Sequence, residues 1–432
     1  MQLDKVFGYI ESNAQGFVDD LKRLVSQPSV SAKKEGMQKC AETLEGMMRE
    51  IGISTRLITE EEGNPVVYGE IKSETSQKTL LFYNHYDVQP PEPLEEWICN
   101  PFSGTVRDGK IYGRGTADNK GNIVSRLKAI QAFLKTVGAI PLNIKFVIEG
   151  EEEIGSPHLA SVVRANRDLF SADAAIWEFG GTDRRGRPNV YLGLKGVLSV
   201  ELRAKGASRD VHSATAPLVP NPAWRLLWAL SNIKDKQDKI LIKGFYDNVE
   251  PPSTEETKYL KDIPFEEEEE KKSLGLKSFL HDVSGLEAVR ALLTQPTCTI
   301  NGILSGYTGP GSKTVLPNEA MAKLDFRLVQ NQMPDEIFNK LVKHLKNSGF
   351  EDVDAIRLGS TEPTKTPIGD DFVQTVAKAA EKVYKNKAVI YPTSAGSGPM
   401  HLFRNLLGYP VVSVGCAHAE SRGHAPNENI TI

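Results

Sequence analysis

Three short runs between Thr79 and Ser156 constrain this chain more than any other feature. They are Leu81-Phe82-Tyr83-Asn84-His85-Tyr86-Asp87-Val88, Tyr112-Gly113-Arg114-Gly115-Thr116-Ala117-Asp118-Asn119-Lys120-Gly121, and Phe146-Val147-Ile148-Glu149-Gly150-Glu151-Glu152-Glu153-Ile154-Gly155-Ser156. The first and third sit at the ends of apolar β-like runs, and the second follows Lys110-Ile111-Tyr112. In an α/β sheet, ligands gather in the crevice at the carboxyl ends of the strands. Clusters at strand ends can therefore converge on one crevice although they lie far apart in sequence.

The surrounding pattern supports such a sheet. Val6, Ile10, Phe17, Leu21 and Leu24 recur at helical spacing and predict a helix over 3–26, and a second helix over 36–51 stops at Gly52. Strands are expected near 53–58, 65–71, 79–84 and 142–148, and Gly121 to Val137 has one apolar helical face. Alternating strand and helix predicts an α/β fold, a mainly parallel sheet with helices on both faces. After about residue 190 the order becomes β-α-β-β-α-β with a long polar helical insertion, as in a ferredoxin-like α+β sandwich. The expected division is one domain over 1–192 and 363–432, interrupted by a second over 193–362. The acidic run Glu266 to Glu270 reads as a solvated helix face.

Composition excludes several classes. A net charge of −4 gives no reason to expect a nucleic-acid or anionic-membrane partner, and no run approaches a membrane span. The first residues include Asp4 and Glu11 without an apolar run, which argues against a secretory leader. Cys40, Cys99, Cys298 and Cys416 are widely spaced, which fits a reducing cytoplasm better than a disulfide framework.

His85, Asp118, Glu152, Glu153, Glu178 and His424 all fall at ends of strand-like runs or in adjoining turns. Imidazole with carboxylate suits zinc, manganese or cobalt, whereas calcium would want oxygen alone. Two divalent ions need a shared carboxylate, and Asp118, in a turn eased by Gly113, Gly115 and Gly121, suits that place. Asp87 lies two residues after His85, on the same face of an extended strand, where it can accept the second imidazole N–H. Of Glu152 and Glu153, one can bind metal while the other takes a proton from water as general base; spacing does not say which.

Each cluster alone has an ordinary explanation: a structural histidine, an aspartate in a turn, a glutamate-rich helix start. Those explanations do not account for all the clusters occurring in order after successive strands. Gly113-x-Gly115 lacks the further residues of a phosphate cradle, and Ala395-Gly396-Ser397-Gly398 only approaches a nucleophile elbow. A two-metal phosphoesterase would want more cations than Arg114, Lys120 and Arg327.

Taken with Gly423-His424-Ala425-Pro426-Asn427-Glu428, these motifs resemble, in order and over nearly the whole chain, the di-metal exopeptidase family. That family contains carnosinase, cytosolic nonspecific dipeptidase, carboxypeptidase G, acetylornithine deacetylase and succinyl-diaminopimelate desuccinylase. The resemblance implies that His85 and Glu178 bind one metal, Glu153 and His424 the other, and that Asp118 bridges. It makes Glu152 the general base and Asp87 the support of His85, and it suggests a cis peptide at Asp118-Asn119.

In relatives the interrupting domain is a lid that dimerises and lends a histidine to the partner's site. Asp210-Val211-His212-Ser213 is similar to that segment, implying that His212 polarises the scissile carbonyl in trans within a homodimer. Lys313-Thr314-Val315-Leu316-Pro317, Asp325-Phe326-Arg327-Leu328-Val329 and Ser394-Ala395-Gly396-Ser397-Gly398-Pro399 resemble the dipeptidase branch. They make Arg327 the clamp for a substrate carboxylate and Thr314 and Ser397 further substrate contacts.

The implied activity is cytoplasmic hydrolysis of dipeptides with two divalent ions, zinc first and manganese or cobalt also fitting. The alternative within the family is an N-acyl-amino-acid deacylase or a carboxypeptidase. Relatives usually close with a further helix after the His424 motif, whereas eight residues follow His424 here.

Overall fold

The run Thr79–His85 has buried side chains on both of its faces, as a strand covered on both sides must. In the computed structural model, which describes residues 2–60 and 62–432, it lies fourth in an eight-stranded sheet. The order is Ser54–Ile58, Val66–Ile71, Asn143–Glu149, Thr79–His85, Ala174–Trp177, Val411–Ser413, Asn189–Tyr191 and Val389–Tyr391. Pairing is parallel from Asn143–Glu149 through Thr79–His85 and Ala174–Trp177 to Val411–Ser413. His85 pairs with Glu149, so two ligand-bearing strand ends finish side by side.

The expected parallel sheet holds for this centre. On one flank Val66–Ile71 runs antiparallel to both of its neighbours. The link from Ile58 to Val66 is too short for a parallel crossover, so these strands form a hairpin. On the other flank Ser413 pairs antiparallel with Tyr191. The helix expected over 3–26 is two helices, Gln2–Ser12 and Ala14–Val25. Asn13 breaks it, its side-chain amide donating to the Tyr9 carbonyl at 2.8 Å.

Alternation along the strands builds two cores. Ile144, Phe146 and Ile148 meet the helices Met37–Glu50 and Lys120–Val137, whereas Leu81, Tyr83, Val147 and Trp177 meet Leu159–Ala165 and the turn Leu402–Leu406. Tyr83 stacks on Trp177 with ring centroids 3.7 Å apart, directly beneath the strand ends that carry His85 and Glu178.

A second sheet has the order Thr297–Ser305, Glu319–Leu328, Gly196–Lys205, Val353–Thr361, antiparallel throughout. Leu198, Val200, Leu202, Leu324 and Phe326 face the helices Pro222–Ile233 and Pro334–Asn347, completing the β-α-β-β-α-β order. Arg327, between the buried Phe326 and Leu328, therefore points from the opposite face. The acidic run begins the largely exposed helix Glu267–Leu274, where carboxylates suit the helix dipole. Gly193–Leu194 pairs with Thr364–Lys365, so the two crossings between the sheets run side by side. Among the described residues no helix is long and apolar enough to cross a membrane.

Candidate metal centre

The parallel strands deliver His85 and Glu178 from buried positions. His85 ends one strand, and Glu178 follows the strand Ala174–Trp177 directly. Glu152 and Glu153 occupy a short helical turn after Asn143–Glu149. Asp118 precedes the helix Lys120–Val137, and His424 comes from the loop before Asn429–Thr431.

These side chains converge. His85 Nε2 lies 3.0 Å from Asp118 Oδ1 and 3.3 Å from Glu178 Oε2. The other Asp118 oxygen, Oδ2, lies 3.0 Å from His424 Nε2, which is 3.2 Å from Glu153 Oε2. One carboxylate thus faces two separate imidazole–carboxylate pairs. Ligand atoms of His85, Asp118 and Glu153 all lie within 4.8 Å of one another.

The donor set fits divalent cations. Glu153 Oε1 is buried without a hydrogen-bond partner. Glu178 Oε2 is likewise buried and has only the contact with His85. Buried carboxylate oxygens left this way are costly unless a cation satisfies them. Imidazole and carboxylate together suit zinc, manganese or cobalt.

Protons compete with a cation here. Burial works against a charged His85, but Glu178, Asp118 and Asp87 hold its ring well above the usual histidine range. Hydrogen bonds to Asp118 and then Glu153 raise His424 to about 10. Burial would raise Asp118, yet the bonds from His424 and His85 prevail and lower it. Burial, then Glu152, pushes Glu178 well up.

A second layer of contacts fixes the ligands. Asp87 does more than support His85. Its backbone carbonyl, at 3.0 Å, is nearer His85 Nδ1 than its carboxylate, at 3.3 Å. That carboxylate instead accepts the Glu152 and Glu153 backbone N–H groups at 3.2 and 3.0 Å. It therefore ties the first cluster to the third. Gln89 donates to Glu153 Oε2 at 2.8 Å. Glu151, the remaining member of the glutamate run, accepts from the Asn64 backbone at 2.9 Å and pairs with His158 at 2.8 Å.

Glu428 ends the motif that contains His424. Fully buried, it accepts from Arg114 at 2.8 Å and from the backbone N–H groups of Gly115, Ala117 and Asp118 at 3.0, 2.9 and 2.9 Å. It thereby holds the whole Asp118 loop. Gly115 in this loop has φ +92°, and a Cβ on Gly121 would lie 2.0 Å from the Thr116 carbonyl oxygen. The Asp118–Asn119 peptide is cis.

Burial is the main cause that raises the Glu152 carboxyl to about 7; Glu153, Asp118 and Asp87 add to it against His85. A carboxyl group near neutrality can both take and return a proton. Beside it runs the loop Ser394–Pro399: a Cβ on Gly398 would lie 3.7 Å from Glu152 Oε1. The preceding residue, Ser397, accepts at Oγ from the Arg327 guanidinium at 2.9 Å. Arg327 is also braced by Asp325 at 3.1 Å.

Lys195, not singled out in the sequence, is buried nearby. It donates to the Leu292 and Gln295 carbonyls, both at 2.7 Å. Burial, and then Arg327, lowers its amine to about 8.

His212 and Thr314 lie together elsewhere on the second sheet's domain. Val211–His212 pairs with Val315–Leu316, and the Ser213 N–H donates to the Thr314 carbonyl at 3.1 Å. The exposed His212 accepts at Nδ1 from the Ala214 N–H at 3.1 Å. Among the described residues, neither His212 nor Thr314 has a hydrogen bond or ion pair to the ligand cluster of its own chain.

Comparison with known proteins gives a consistent result. A family profile described as Peptidase family M20/M25/M40 matches residues 81–432. The Beta-Ala-His dipeptidase of Homo sapiens is 28% identical over 455 residues, covering 99% of this chain and 89% of that protein. The Cys-Gly metallodipeptidase dug1 of Schizosaccharomyces pombe is 30% identical over 359 residues, covering 79% and 75%. Among solved structures, the M20 family metallo-carboxypeptidase Sso-CP2 from Sulfolobus solfataricus matches with a TM-score of 0.91 at 42% identity, over 96% of this chain and 95% of that one. The di-peptidase Dug1p from Saccharomyces cerevisiae matches with a TM-score of 0.83 at 25% identity, over 100% and 95%.

Proposed function

The chain belongs to peptidase family M20/M25/M40, and from that premise we propose that it hydrolyses the peptide bond of dipeptides with two divalent ions. One observation carries this reading. The carboxyl beside the ligand cluster, Glu152, and the Arg327 guanidinium flank adjacent residues of one loop, Gly398 and Ser397. A general base and a carboxylate clamp that close together suit a bond next to a free carboxyl terminus.

His85 and Glu178 would hold one ion, Glu153 and His424 the other, with Asp118 shared; zinc is the first choice, with manganese or cobalt as substitutes. Bound divalent ions supply Lewis acidity, polarising a carbonyl and acidifying water. Arg327, with Ser397 beside it, grips the terminal carboxylate and sets the scissile bond in register. Glu152 takes a proton from the attacking water as the new C–O bond forms. As the C–N bond breaks, it passes that proton to the leaving amine.

His212 stabilises the oxyanion in trans, with Thr314 beside it as a further substrate contact. Its exposure, away from the ligands of its own chain, supports donation to a partner. A homodimer is further supported by exposed Trp224, Leu227 and Trp228 on the outer face of the helix Pro222–Ile233. We take residues 193–362 as this lid and dimerisation domain, 1–192 and 363–432 as the catalytic domain, and the cytoplasm as its location.

The second reading is a carboxypeptidase, favoured by the 42% identity to Sso-CP2. The test is turnover of free dipeptides, the same dipeptides N-acetylated, longer peptides and N-acetyl-amino acids, each with zinc, with manganese or with a chelator. Cleavage of free dipeptides alone, abolished by chelator, is expected. Release of the terminal residue from blocked or longer peptides would establish the carboxypeptidase. Cleavage of N-acetyl-amino acids alone would overturn both in favour of a deacylase.

A further inference from the structure

The helix Lys120–Val137 packs its stripe Ile123, Leu127 and Ile130 into the core, yet Arg126 on the same helix is buried too, 8% exposed. A buried guanidinium normally answers a carboxylate. Arg126 does not: its hydrogen bonds go to carbonyl and amide oxygens. One nitrogen donates to the Tyr83 carbonyl at 2.8 Å and to Asn84 Oδ1 at 2.6 Å. The other donates to the Trp177 carbonyl at 2.5 Å and to the Val414 carbonyl at 3.1 Å.

The identity of these acceptors is informative. Asn84 precedes His85, and Trp177 precedes Glu178. The Asn84 side-chain amide donates in turn to Asn119, the residue after Asp118. Asn119 closes the circuit by donating to the Glu178 carbonyl at 2.9 Å. One side chain is therefore linked, directly or through one amide, to a chain neighbour of three of the five proposed metal ligands. The guanidinium also ties the ends of the strands Thr79–His85 and Ala174–Trp177 to the segment that leaves Val411–Ser413. A planar fork with several fixed donors does this; an apolar residue could only fill the space.

The charge has work as well. Asp87, Asp118, Glu152, Glu153 and Glu178 crowd the crevice above. Burial lowers Arg126 to about 10, with Cys416 and Glu178 acting against that, so it stays cationic at neutral pH.

We propose that Arg126 is a positioning residue for the metal centre: it locks the backbone beneath His85, Asp118 and Glu178 and places a fixed positive charge under their carboxylate neighbours. The inference rests on the metal-centre reading above. It concerns which of this chain's own residues shape the centre, not which bind the ions.

The test is titration of the metal-stripped full chain with cobalt(II), read by visible absorption and by ion stoichiometry. Wild type, Arg126→Gln, Arg126→Lys and Lys128→Met are compared. Lys128 is buried to the same extent on the same helix but pairs with Asp20, away from the ligands. Outer contacts of this kind alter metal affinity by about 10–100-fold. Arg126→Gln is expected to weaken one of the two ions by that factor and to shift the absorption bands. Arg126→Lys, which keeps the charge without the fork, should show the band shift with a smaller loss. Lys128→Met should leave the spectrum unchanged.

Two ions bound with wild-type affinity and spectrum in Arg126→Gln would overturn the proposal. Should that variant not fold, an unchanged spectrum in Arg126→Lys would overturn it equally. A spectrum shifted as strongly by Lys128→Met would reduce the effect to general loosening and overturn it too. If the wild type itself takes up no cobalt, the metal-centre reading falls and the proposal with it.

Discussion

The two sheets hold their functional side chains at different depths. At the ligand end of the parallel sheet His85 is 1% exposed, and Asp87 and Glu428 are fully buried. On the antiparallel sheet the Arg327 side chain is 38% exposed, and in the same domain His212 is exposed in the short pairing of Val211–His212 with Val315–Leu316. Topology explains the contrast. Parallel strands are covered on both faces, so His85 and Glu178 at their ends are enclosed, although His424, which reaches the cluster from a loop, is exposed; an antiparallel sheet can leave one face to solvent. On the proposed reading, the enclosed end holds the chemistry that needs fixed geometry, and the open face holds the groups that meet the substrate.

The comparison can be broken at several points. Glu152→Gln keeps the shape of the enclosed end but removes the base. Turnover should fall about 10²–10⁴-fold with metal content unchanged, checked by steady-state kinetics alongside ion stoichiometry. Near-normal turnover would mean the enclosed carboxyl does not do the chemistry.

Glu428→Gln tests whether depth itself supports the site. It weakens the grip on Arg114 and on the Gly115–Asp118 backbone. Metal affinity should drop about 10–100-fold, measurable by equilibrium dialysis. An unchanged affinity would show that the Asp118 loop holds its shape without that carboxylate.

Arg327→Lys addresses the open face. Replacing a planar fork by a point charge should raise KM for substrates with a free carboxylate about tenfold, the equivalent of about 1.4 kcal/mol, with a smaller change in kcat. A fall confined to kcat would place Arg327 in the reaction rather than in substrate binding.

The smallest effect on turnover is expected at Lys195, between the two regions. Its amine is lowered to about 8 in the folded chain, against an ordinary lysine value of 10.5. Between those values the unfolded chain binds more protons, so stability should rise with pH across that window. Denaturant unfolding from pH 7 to 10.5 should show this rise in the wild type and less of it in Lys195→Met.

The same contrast governs what was legible beforehand. His85, Asp118, Glu152, Glu153 and His424 are recognisable because each brings a distinctive residue type inside a distinctive short motif. Glu178 has only Trp177 and Phe179 around it, and proximity to His85 is what supports it. Asp87 was half legible. Strand periodicity points it at His85, but its bonds to Glu152 and Glu153 span a distance in sequence that no local pattern encodes. Arg126 was hidden for the opposite reason, since helical periodicity offers no reason for a charge on the buried side. On the lid, the strands were readable from alternation, and Arg327 lies on the face that alternation assigns to it. Lys195 was not, because its partners are backbone carbonyls at the end of the helix Gly285–Thr294.

The clamp made by Glu428 has a consequence for the order in which the chain is synthesised. Arg114 and Glu428 are 314 positions apart, with the whole second sheet made between them. A growing chain therefore displays the Asp118 loop long before the carboxylate that shapes it exists. His424 arrives only four positions before that carboxylate. Until both have left the ribosome, neither the Glu428 bonds to that loop nor the His424–Glu153 pair can form. The ligand cluster and the carboxylate that holds its central loop are therefore complete only once residue 428 has been made.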